Sequence, residues 1–68
     1  MDFMTTGSEM RKNKKVILSK DNAILGKIEI LLDKYCYHLF VDGTPINYWY
    51  EKEIAFSEFN RLVAVKSL

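Results

Sequence analysis

The chain has 68 residues, ten of them basic and nine acidic, for a formal net charge of +1. That balance excludes a strongly basic nucleic-acid coat and an acidic mimic of DNA. With 49% hydrophobic and 13% aromatic residues, the composition is that of a folded domain rather than a disordered chain. One cysteine, Cys36, and one histidine, His38, exclude an internal disulfide and fall short of the four ligands of a structural zinc site. No metal and no cofactor is expected. A core this small is marginal, so a bound partner or a second copy would add needed stability, and a homodimer is one expected form.

The lone cysteine points to a reducing compartment. The first residues lack the apolar run of a signal peptide, and no stretch approaches the roughly 20 apolar residues of a membrane span. The expectation is a cytoplasmic protein without a membrane partner.

Residues 1–13 read as a polar tail, and residues 14–68 as a single small domain. The basic run Arg11, Lys12, Asn13, Lys14, Lys15 joins them. From Lys15 the dominant signal is alternation with period two. Lys15–Ser19 is the first expected strand, and Lys20, Asp21 and Asn22 have turn chemistry. Ala23–Leu32 is the second, with Ile24, Ile28, Ile30 and Leu32 on one face. Asp33-Lys34 is a two-residue break, which pairs Leu32 with Tyr35, Ile30 with Tyr37 and Ile28 with Leu39. Tyr35–Val41 is the third strand. Asp42-Gly43 is the strongest hairpin signal in the chain. Pro45 opens a fourth strand that directs Ile46, Tyr48 and Tyr50 to the apolar face. Ser57 then reads as the N-cap of a helix carrying Phe59, Leu62, Val63 and Lys66 at helical spacing. The rival reading makes residues 61–66 a fifth strand.

The expected fold is therefore α+β, a four-stranded antiparallel meander with a short C-terminal helix. The alternative is an all-β, SH3-like small barrel.

Catalytic signals are absent. Cys36 and His38, two apart on one expected strand, stand roughly 7 Å from each other by the strand rise. That is too far for a nucleophile and its base. The glycines are scattered singles, with no phosphate-cradling loop. The chain reads as non-enzymatic.

The second face of the sheet holds the candidate contact residues. Alternation places Leu25, Leu31, His38, Phe40 and Trp49 there. An outward Trp49 with Phe40 and His38 beside it, extended by Leu31 and Leu25, has the make-up of an interface anchor. The expected function is a small protein-binding module that regulates or inhibits a larger partner. One alternative is a nucleic-acid binder using Arg11, Lys12, Lys14 and Lys15 as a basic arm. Another is a self-association module.

Residues 48–62, with alternating aromatics, an apolar pair, and then Ser57-Glu58-Phe59 and Leu62, resemble the strand-to-helix segment of small phage inhibitors of uracil-DNA glycosylase. The resemblance covers 15 of 68 residues. It implies a small protein that blocks a larger enzyme. Those inhibitors are acidic and continue past the helix, whereas this chain is near neutral and its sequence runs only to Leu68.

Overall fold

The alternating apolar pattern does form a sheet. In the computed structural model, residues 14–67 are described. They comprise strands β1 (Lys15–Asn22), β2 (Gly26–Leu32), β3 (Tyr37–Val41) and β4 (Thr44–Trp49), followed by helix α1 (Lys52–Val63). The four strands are antiparallel in the order β1-β2-β3-β4, a meander, and the short helix packs on one face. The α+β expectation holds. The fifth strand over residues 61–66 does not form, because the helix runs to Val63. The expected tail, residues 1–13, lies outside the described residues. No helix among the described residues is long and apolar enough to cross a membrane.

The core lies between α1 and the sheet. Ile28, Ile30 and Leu39 meet Ala55 and Phe59 there, with Ile17, Leu18, Tyr37, Val41, Trp49, Phe56, Leu62 and Val63 packed around them. Ala55, Phe59 and Leu62–Val63 recur at helical spacing and so form one apolar stripe. The helix begins earlier than Ser57. Its N-cap is Glu51, in extended backbone, and Ser57 is an exposed residue inside it. Lys52, Glu53 and Ala55 are ordinary to strong helix formers. Starting at Lys52 also brings Ala55 onto the sheet, which a start at Ser57 would forgo.

Each hairpin turn follows local chemistry. Asn22 accepts the amides of Ile24 and Leu25 on its Oδ1, at 2.8 and 2.9 Å, so β1 extends to Asn22 and the turn falls on residues 23–25. Asp33 plays the same part in the next loop, accepting Tyr35 N and Cys36 N on Oδ1. That lengthens the expected two-residue break, so Leu32 pairs with Tyr37, Ile30 with Leu39 and Ile28 with Val41. The shift is two residues, so the faces stay matched. Tyr35, left in the loop, is exposed. At Asp42-Gly43 both residues have positive φ (53° and 81°), as a type I′ turn requires.

β3 and β4 do not keep simple alternation. Phe40 pairs with Pro45 but Leu39 pairs with Asn47, which leaves Ile46 as a bulge. Pro45 has no N–H for the ladder, and a bulge beside a proline absorbs that gap. One inserted residue exchanges the faces of everything after it. Trp49 therefore pairs with Tyr37 and packs against the core, while Tyr48 pairs with His38 on the second face. The expected apolar placement of Ile46, Tyr48 and Tyr50 is corrected: all three are exposed.

Gly26 shows how closely the turns approach. Its φ is +92°, and a Cβ there would lie 3.0 Å from Asp42 Oδ1. Asp42 N donates to Lys27 O at 2.7 Å in the same place. Gly26→Ala is expected to cost about 1–3 kcal/mol from backbone strain and crowding. Urea unfolding of the variant measures this, and an unchanged midpoint would contradict the close packing of the two turns.

Candidate functional site

The loop between β2 and β3 brings Asp33 and Cys36 to His38 at the start of β3. Asp33 Oδ1 is held by two backbone amides, Tyr35 N at 2.7 Å and Cys36 N at 2.8 Å. Asp33 N donates to Cys36 O, closing the loop on itself. Oδ2 is left to face His38, and lies 2.7 Å from its Nε2. Cys36 Sγ lies 3.2 Å from the same nitrogen. The distance of roughly 7 Å expected for two residues on one strand is corrected here. Cys36 precedes β3 and sits in the turn, so its side chain is not constrained to stand parallel to that of His38.

The charges follow from these contacts. The amides of Cys36 and then Tyr35, with a further contribution from His38, hold the Asp33 carboxyl well below the usual carboxylate range. Burial, and then the negative charge of Asp33, push the Cys36 thiol up. A thiol kept protonated is a poor nucleophile. The arrangement also differs from a Cys–His–Asp relay, in which nucleophile and carboxylate occupy different ring nitrogens. Both partners share Nε2.

His38 links this cluster to a second feature. Its ring meets that of Tyr48 edge to face at 6.0 Å, and Tyr48 lies 6.1 Å from Tyr50. A cleft of about 530 Å³ runs beside them, lined by His38, Pro45, Ile46, Asn47 and Tyr48. β4 is the last strand of the sheet, so among the described residues its outer edge has no neighbouring strand, and there Tyr48 N donates to Asn47 Oδ1 at 2.8 Å. Ile46 and Tyr48 on β4 are 55% and 50% exposed, and Tyr50, just after the strand, is 73% exposed.

The residues expected to bind a partner separate. His38 does face the second side of the sheet, partly exposed. Leu31 and Phe40 also lie on that side but have no exposed surface. Large apolar side chains at the centre of the face are sequestered from water, as the hydrophobic effect favours. Leu25 falls in the β1–β2 turn rather than in a strand and packs against the main core. Trp49 is turned under the helix by the bulge at Ile46. The expected Trp49-centred patch is therefore not an exposed surface. Of the basic arm, Lys14 precedes β1 and Lys15 begins it, whereas Arg11 and Lys12 lie outside the described residues.

Two groups escaped the sequence reading. Turn chemistry explains Asp33 locally, while the spacing Asp33-x-x-Cys36-x-His38 is the signal for its second role. Tyr48 and Tyr50 were assigned to the core by strict alternation. Comparison of the chain with family models, with curated proteins and with solved structures gives no match.

Proposed function

We propose that the chain is a small protein-binding module that engages a larger partner through edge strand β4. It acts by occupying the partner's surface, as a regulator or inhibitor. The observation that carries this reading is the exposure of Ile46 and Tyr48 on β4 and of Tyr50 just past it, beside an edge with no neighbouring strand among the described residues. Tyrosine offers large apolar contact area with a polar tip and little rotamer entropy to lose, which suits an interface. A free strand edge can accept an extended segment of the partner by main-chain pairing, and the cleft beside Tyr48 can take one of its side chains. Tyr48 and Tyr50 take the anchor role in place of Trp49.

The test is co-purification from lysate with wild type and with a Tyr48→Ser/Tyr50→Ser variant, each with and without nuclease. Both side chains are at least half exposed, so the variant is expected to fold. Loss of anchors should weaken binding by at least about 2 kcal/mol, or roughly 30-fold. The expected result is one protein, captured in near-equal amount, that survives nuclease and is lost with the variant. Capture that ignores the substitution, or that disappears with nuclease, contradicts the reading.

A further inference from the structure

We propose that Asp33, Cys36 and His38 form a three-ligand site for zinc, with the fourth coordination position open to solvent. The proposal does not rest on the β4 reading, although His38 borders both places and touches Tyr48.

The geometry carries it. Three donor atoms of three kinds, Asp33 Oδ2, Cys36 Sγ and His38 Nε2, lie within 4.8 Å of one another. Two of them converge on the third, at 2.7 and 3.2 Å. Without an ion, Nε2–H and the Cys36 thiol can both donate to the Asp33 carboxylate, so the three donors already gather around one point. A cation placed among the three atoms serves all of them.

The dimensions agree with zinc. Bonds of about 2.3 Å to sulfur and about 2.0–2.1 Å to nitrogen and oxygen put tetrahedral donors about 3.3–3.6 Å apart. From 2.7 and 3.2 Å the two contacts to Nε2 open by roughly 0.6 and 0.4 Å, and Sγ and Oδ2, within 4.8 Å of each other, adjust to the same range by side-chain rotation.

The supports of the donors are also in place. Oδ1 of Asp33 is fixed by the Tyr35 and Cys36 amides, so Oδ2 is already aimed. The edge of Tyr48 packs against the His38 ring. Supports of this kind orient metal ligands and strengthen binding. The His38 and Asp33 side chains retain 20% and 24% exposure, which gives the ion an entry path.

The donor chemistry selects the metal class. On binding, the Cys36 thiol gives its proton to solvent and coordinates as thiolate. Thiolate and carboxylate then balance the charge of a divalent ion, with imidazole neutral. Sulfur and nitrogen donors favour zinc over magnesium and calcium, which take oxygen ligands.

Titration of the metal-free chain with Co²⁺ as the spectroscopic probe, followed by displacement with Zn²⁺, tests this. The expected result is one ion per chain, with a thiolate-to-cobalt charge-transfer band in the near ultraviolet and intense tetrahedral bands in the visible. Zinc should abolish both. Cys36→Ser should remove the charge-transfer band and weaken zinc binding at least about 100-fold, and His38→Ala should weaken it similarly. Asp33→Asn keeps the turn's acceptor oxygen while removing the charge, so it tests the site with the loop intact. It is expected to bind zinc at least about 10-fold more weakly. A missing charge-transfer band, or a folded Asp33→Asn protein that binds zinc as tightly as wild type, would overturn the proposal.

Discussion

Replacing Asn22 with alanine is expected to remove about 2–4 kcal/mol of stability, although the side chain lies at the end of a strand, near a turn. Asn22 joins the two halves of the fold. Its Nδ2 donates toward the carbonyls of Val65 at 2.8 Å, Val63 at 3.1 Å and Leu62 at 3.3 Å, where helix α1 ends. Its Oδ1 accepts Ile24 N and Leu25 N in the first turn. The last carbonyls of a helix lack partners within it, so one side chain closes the helix and the hairpin together. Removing it strands several backbone groups in a largely buried place, which costs more than the bonds themselves contribute. A core of this size supplies only about 3–5 kcal/mol in total, so much of the population should unfold. Asn22→Asp separates the two roles. It keeps the acceptor oxygens but loses the donor and sets a negative charge at the negative end of the helix. It should be at least as damaging as alanine at neutral pH. Urea unfolding of both variants decides this, and a loss under about 0.5 kcal/mol for either would contradict the bridging role.

Phe59→Ala should be the most damaging change in the helix, at about 3–5 kcal/mol. Phe59 is buried on the face of α1 that meets Ile28, Ile30 and Leu39. Its loss leaves a cavity that a single helix over a sheet cannot close without shifting. The contrast is with Tyr50→Ala and Ile54→Ala, which delete large side chains that are 73% and 44% exposed and should change stability by no more than about 0.5 kcal/mol. Strict alternation would have put Tyr50 in the core, so the pair of measurements also tests the bulge. A well-folded Phe59→Ala protein beside an unfolded Tyr50→Ala protein would reverse the assignment of faces.

The comparison of pattern with structure turns on these same elements. Ile28, Ile30, Leu39, Phe59, the Asp42-Gly43 turn and the meander itself were legible, because periodicity and turn chemistry are local and agreed with one another. The helix was legible in kind but not in its start. Its early turn is recruited by Ala55 meeting the sheet, a tertiary gain that no cap residue announces. The candidate contact surface was legible only in its chemistry, as aromatics on the last strand. Which aromatics face outward depends on one extra residue, Ile46: Pro45 allows a bulge beside it, but only the pairing with β3 shows that it forms and where. The Asp33 cluster was hidden for a related reason. Two amide hydrogen bonds turned a two-residue break into a longer loop, and that loop brings Cys36 to His38.

The most direct test of the functional reading is amide hydrogen exchange on the chain alone and in complex with its captured partner. The reading predicts new protection across β4 and Tyr50 after it, with β1 unchanged at the opposite edge of the sheet. Protection confined to β1 or to the outer face of α1, with β4 exchanging as in the free chain, would contradict it.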